Sequence, residues 1–148
     1  MDRRSAVKSV LAAGTGMLAA GLATQAGAAE APVPRVVYHL SDLDKVTFVL
    51  GNLRNHIDGM GGADKVQLAV VIHGPPLRAF RADGGSDDVK DKVAGLMREG
   101  VAFHACIHTM EGMKLTLAGL LPGFAVAEKG GVVKLAELQG QGWLYLRP

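Results

Sequence analysis

The segment Lys65-Val66-Gln67-Leu68-Ala69-Val70-Val71-Ile72-His73 contains a nearly continuous apolar run, Leu68 to Ile72. Apolar side chains without polar alternation suit a strand covered on both faces, the usual condition of a parallel sheet packed between helices. Gly74-Pro75-Pro76 stops the run. Upstream, Ala31-Pro32-Val33-Pro34 cannot be helical, and residues 35–40, β-branched and apolar, read as the first strand. Ser41 is expected to cap the helix that follows, with Asp42 and Asp44 in its first turn, where carboxylates meet unpaired amides. Leu43, Val46, Leu50, Leu53 and Ile57 recur at three- and four-residue spacing, so one apolar stripe runs along a helix that ends near Asp58-Gly59-Met60-Gly61-Gly62.

Downstream, residues 77–80 suit a short helical turn and residues 81–85 a loop. Ser86 caps a helix with Asp87 and Asp88 at its start and Val89, Val93, Leu96 and Met97 on its inner side; Gly100 ends it. Residues 101–107 read as the third strand, Thr109 to about Leu117 as a helix and residues 124–127 as a short fourth strand. Gly130-Gly131 leads into a final helix through Val133, Leu135, Ala136 and Leu138, and residues 143–146 close the sheet. Strand and helix alternate with short connections, which predicts a three-layer α/β domain around a mainly parallel five-stranded sheet with right-handed crossovers. The strands lack the alternation a β-sandwich needs, and the stripe from Leu43 to Ile57 excludes an all-β domain.

The first 29 residues read as a twin-arginine export signal: Arg3-Arg4 and Lys8, an apolar stretch from Val10 to Leu22, then Ala26-Gly27-Ala28-Ala29 for signal peptidase. The stretch is short and rich in Gly and Ala, so cleavage is expected, leaving residues 30–148 as one domain in the periplasm without stable membrane insertion. The alternative is an uncleaved N-terminal anchor. Of the 16 basic and 14 acidic side chains, Arg3, Arg4, Lys8 and Asp2 leave with the signal, so the mature charges balance if Glu30 is retained. No basic stripe with interleaved aromatics remains, which argues against nucleic-acid binding.

Cys106 is the sole cysteine, so after export it cannot form an intramolecular disulfide; it is either a buried small apolar group or a reagent. Ligand crevices of open parallel sheets lie beyond the carboxyl ends of the strands. That rim receives His39 and Ser41 from the first strand, His73 and Gly74 from the second, and Cys106 with His108 from the third. His104, two residues before Cys106, shares its face while strand geometry lasts. Amides at the start of the next helix, with Thr109 as its cap, would stabilise a thiolate, and His104 or His108 would relay a proton. His56 lies elsewhere and reads as an ordinary surface residue. A metal reading groups His104, Cys106 and His108 with His73 or His39 as a nitrogen and sulfur set, but His-x-Cys-x-His is not a recurring zinc spacing. No glycine-rich dinucleotide or phosphate loop, Cys-x-x-Cys pair or nucleophile elbow is present, and no cofactor is expected.

Val70-Val71-Ile72-His73-Gly74, Val101-Ala102-Phe103-His104-Ala105-Cys106, Leu120-Leu121-Pro122-Gly123-Phe124 and the closing stretch from Leu138 through Gly142-Trp143-Leu144-Tyr145-Leu146 to Pro148 together resemble the DsrE/DsrF-like family, specifically its exported members. The resemblance spans residues 34–148 and implies a flavodoxin-like topology, assembly into trimers or hexamers, and, in the sulfur-trafficking branches, a persulfide on the residue matching Cys106 that is passed to a protein partner. Relatives often carry asparagine where this chain has His108, and the best-understood carriers are cytoplasmic hetero-oligomers.

Two functional readings follow. In the first, Cys106, His104 and His108 are the reacting and proton-handling groups of a sulfur carrier or sulfurtransferase. His39, Ser41, His73, Gly74 and Thr109 line its site, and its partners are a sulfur donor or acceptor protein or a small sulfur anion. In the second, the chain is a binding or assembly module, with or without a transition metal held by His and Cys.

Overall fold

The structure is a computed structural model describing residues 31–148; the predicted export signal, residues 1–29, lies outside the described residues. The apolar run becomes the middle of a sheet. β1 (Arg35–Leu40), β2 (Gln67–Ile72) and β3 (Ala102–Cys106) lie side by side, with β4 (Ala125–Ala127) beyond β3 and β5 (Leu144–Leu146) beyond β1, giving the order β4-β3-β2-β1-β5. Every pairing in this sheet is parallel. Leu68 to Ile72 are all buried, as a strand with both faces covered requires.

Right-handed crossovers that step the same way across a sheet return over the same face. The steps from β1 to β4 run in one direction, so α1 (Val46–Met60), α2 (Asp87–Arg98) and α3 (Ile107–Gly112) pack together on one side. The step from β4 back past β1 to β5 runs the other way and places α4 (Gly131–Gly140) on the opposite face. The domain is thus a three-layer, flavodoxin-like α/β fold, and its layers are unequal. On the three-helix side Val36, Tyr38, Leu68, Val70, Ile72 and Phe103 meet Val49, Leu53, Val93 and Leu96 in the main core. On the α4 side the core comprises Val37, Ala69, Val71, Leu135 and Leu138, with Trp143 against it.

Local signals act largely as the sequence suggests. The Ser86 hydroxyl accepts a hydrogen bond from the Val89 amide at 3.3 Å, and α1 ends where Gly61 turns left-handed at φ 90°. Four expectations are corrected. Ser41 does not cap a helix: the chain first makes a 3-10 turn, Leu43–Lys45, with Asp42 at its N-cap, and α1 begins only at Val46. Leu43, on that turn, points to solvent, while Val49 joins the buried stripe. Cys106, rather than Thr109, stands at the N-cap of α3, and Thr109 lies inside its first turn. That helix stops at Gly112, followed by Lys114 in a left-handed conformation (φ 54°) and a separate 3-10 turn, Leu117–Gly119.

Phe103, near the start of β3, packs with Phe80 and Phe124 with ring centroids 5.5 to 6.4 Å apart. Phe103→Ala is expected to lower stability by about 3–5 kcal/mol, seen as a lower urea midpoint with an unchanged denaturant slope.

Candidate functional site

In an open α/β sheet the crevice opens where neighbouring strands send their connections to opposite faces. Here that reversal falls between β3, followed by α3, and β4, followed by α4. Cys106 ends β3, and a cavity of about 240 Å³ beside it is lined by His73, Cys106, His108, Lys129, Gly130, Gly131, Val132 and Val133.

Cys106 is a free thiol with 6% of its surface exposed. Burial pushes its pKa up, yet the net displacement is downward, because the backbone N–H groups of Thr109, Gly131 and His108 and the Thr109 hydroxyl favour the charged sulfur. Two of those amides come from the first turn of α3, directly after the N-cap, and the third from the start of α4. The Thr109 oxygen is itself positioned: it accepts the Gly74 N–H at 2.9 Å. Gly74, two residues beyond β2, adopts a conformation (φ 71°, ψ −151°) that a side chain would strain. The thiol is therefore buried among groups that favour its charged form.

The glycine pair sets how closely α4 approaches. A Cβ on Gly131 would lie 3.2 Å from the His73 Cβ and 3.3 Å from the Cys106 Cβ, and one on Gly130 would meet the His108 ring at 2.9 Å. His73 and Cys106 thus flank the same glycine.

Behind His73 stands a second group. His39 Nε2 faces His73 Nε2 at 2.5 Å, and His39 Nδ1 lies 2.6 Å from the Tyr145 hydroxyl. Desolvation, followed by His73 and Arg147, lowers the His39 pKa to about 4, while Asp42 opposes. Desolvation and Arg147 lower His73 as well, again against Asp42. Arg147 and Asp42 pair at 3.2 Å.

The expected residues therefore divide. Cys106, His73, His108, Thr109 and Gly74 come together around the thiol or on its support. His39 reaches the site through His73. His104 does not line the cavity; it is half-buried, its pKa lowered by desolvation and then by Lys134. Ser41 is absent from the lining, and only its backbone oxygen approaches Gly74. His108 is 71% exposed, its Nδ1 3.5 Å from Glu111. His56 is more than an ordinary surface residue, since its Nδ1 lies 2.9 Å from the Tyr38 hydroxyl. Among the described residues, no group of three or more His, Cys, Asp or Glu side chains is placed to hold a metal ion.

No protein-family model matches the chain, and no curated protein matches it. Among solved structures it is similar to MTH1491, a protein of unknown function from Methanobacterium thermoautotrophicum, with TM-score 0.68 and 29% identity over 78% of this chain and 99% of that one. This likeness supports the DsrE/DsrF-like resemblance that the sequence carries. The fold also matches BT1422, a conserved protein of unknown function from Bacteroides thetaiotaomicron (TM-score 0.60, 15% identity, 82% of this chain and 100% of that one), and the ychN protein from E. coli (0.60, 16%, 78% and 99%). The sequence pattern did not reveal the Gly131 amide, read only as a helix leader, nor the Tyr145 and Arg147 side chains that β5 and the residue after it bring to His39.

Replacing Thr109 by Val removes one donor to the sulfur and the acceptor of the Gly74 amide. The thiol pKa should rise, and iodoacetamide labelling below that pKa should slow by roughly threefold to tenfold. A second outcome follows from His39. Above its ordinary pKa of 6.5 the ring is neutral folded or unfolded, but between 6.5 and about 4 the unfolded chain takes up a proton that the folded site resists. Stability should fall as pH drops through that window, and His39→Gln should flatten that part of a pH series of denaturation midpoints.

Proposed function

We propose that this protein is a cysteine-persulfide sulfur carrier that acts in the periplasm. The observation that carries the reading is the cradle of three amides and one hydroxyl around the sole cysteine. Such donors stabilise a thiolate as nucleophile and again as leaving group. The family resemblance points the same way, toward a sulfur-relay role.

The chemistry needs one thiol in this chain. The Cys106 thiolate attacks the outer sulfur of a sulfane donor; the Sγ–S bond forms as the donor's S–S bond breaks, and the donor leaves with the electron pair, as sulfite from thiosulfate or as a thiolate from an organic persulfide. An acceptor thiolate then attacks the outer sulfur and Cys106 departs as thiolate. A disulfide cycle would need a second cysteine, whereas here it belongs to the partner. A cavity of about 240 Å³ suits a small sulfur anion or the tip of a partner's persulfide. His108, on the rim, faces the incoming reagent, and the proton-handling role first given to His104 has no support from its position outside the cavity.

Periplasmic action rests on Arg3-Arg4, the apolar stretch and the small residues before Glu30. Exposed Val132 on α4 and Leu144 and Leu146 on the edge strand β5 support self-association, which the family resemblance puts at three or six copies. Among the described residues no helix is long and apolar enough to cross a membrane.

After incubation of the mature protein with thiosulfate or polysulfide, intact-mass measurement should show addition of one sulfur atom, reversed by dithiothreitol and absent from Cys106→Ser. No addition, or the same addition in the variant, overturns the reading.

A further inference from the structure

We propose that Tyr145, His39 and His73 form a proton relay between solvent and the Cys106 cavity, in which the two imidazoles hold one proton between their Nε2 atoms. The purpose of the relay rests on the sulfur-carrier reading; its existence does not.

The geometry of the pair admits few arrangements. With the Nε2 atoms at 2.5 Å and the ring centroids 4.7 Å apart, the rings meet nitrogen to nitrogen and not face over face. Two N–H groups cannot point at each other across that contact, and two bare nitrogens would gain nothing from it. One proton therefore lies between them. A neutral imidazole carries a single N–H, so this proton also dictates the outer bond. If His39 donates from Nε2, its Nδ1 is bare and the Tyr145 hydroxyl donates to it. If His73 donates, the His39 proton sits on Nδ1 and Tyr145 accepts. The chain thus has two states that use the same contacts and differ only in where protons lie.

The two ends of the chain differ in solvent access. Tyr145 is 39% exposed on the edge strand β5, while His73 lines the cavity of a thiol that is 6% exposed. A reagent seated in that cavity covers the sulfur and excludes bulk water, and the relay then supplies a route. No hydrogen bond joins Cys106 to His73, so the Sγ–H proton crosses the cavity they share through one water to Nδ1 of His73; the Nε2 proton of His73 passes to Nε2 of His39, the Nδ1 proton of His39 passes to the Tyr145 oxygen, and the original hydroxyl proton of Tyr145 goes to water. A thiolate and three neutral groups remain, and one proton has left. Proton return runs the same sequence backward.

The surroundings keep the rings ready to accept. His39 is faced by Tyr145 and Arg147 from the C-terminal segment, by Asp42 from the turn after β1 and by His73. His73 is faced by His39, Arg147 and Asp42 on one side and shares the cavity with Cys106, His108 and Lys129 on the other. Burial and Arg147 outweigh Asp42, so both rings are neutral near pH 7.

Two measurements on the mature protein test this. Long-range proton–nitrogen NMR of the histidine rings should show opposed Nε2 protonation in His39 and His73 and a joint titration below 6.5 with uptake of one proton; independent titrations overturn the proposal. Stopped-flow reaction of Cys106 with dithiodipyridine, at reagent levels where deprotonation limits the rate, should be insensitive to buffer concentration in the wild type. In His39→Ala it should fall by at least about tenfold and recover with added imidazole, with Tyr145→Phe intermediate and circular dichroism unchanged in both. Wild-type rates in His39→Ala, or slowing that imidazole does not relieve, overturn the relay, as does stoichiometric zinc or copper lost on His39→Ala. This reagent transfers no sulfane sulfur, so a protein that behaves as described here yet takes up no sulfur from thiosulfate loses the carrier reading and keeps the relay.

Discussion

The placement of β5 beside β1, and not beyond β4, is the constraint on which the rest of the structure depends. Because crossovers are right-handed, that one reversal sends α4 to the face opposite the other three helices. A crevice opens between β3 and β4, and Cys106 ends one of its walls. The same reversal carries Tyr145 and Arg147 to the end of β1, where they meet His39. The thiol side and the imidazole side of the site are two consequences of one topological fact.

Burial and ionisation are reconciled at Cys106 by the direction of the surrounding dipoles. A thiol taken out of water holds its proton more tightly, and a core cysteine with only aliphatic neighbours would be inert. Here the neighbours include amides from two helix starts and a threonine hydroxyl, which favour the thiolate by more than desolvation opposes it. The glycines at positions 130 and 131 make this possible, since a side chain at either would hold α4 away from the sulfur and from both adjacent histidines. Packing on the other face is extensive and aromatic-rich, so the donors sit on a well-packed scaffold.

Much of this was legible beforehand. Element types and strand ends followed from the apolar run at residues 68–72, the stripe through Val46, Leu50, Leu53 and Ile57, and the Ser86 cap, because these signals depend on residues a few positions apart. The errors were also local in origin: Ser41 and Thr109 have good capping chemistry, but the chain places a 3-10 turn after the first and begins α3 two residues before the second. His104 shows the limit of periodicity, which assigned it to the face of Cys106 without saying that the cavity lies past the strand end, out of its reach.

The sequence alone determined that a single thiol ends the third strand of a parallel α/β sheet and that imidazoles stand at the ends of its neighbours. Tertiary structure decided which of those groups meet. The Gly131 amide reaches a sulfur 25 positions away, and His39 finds Tyr145 across 106 positions. Such pairings depend on the lateral order of strands and the face each helix covers. Those are properties of how the elements pack together, which no short-range pattern in the chain encodes.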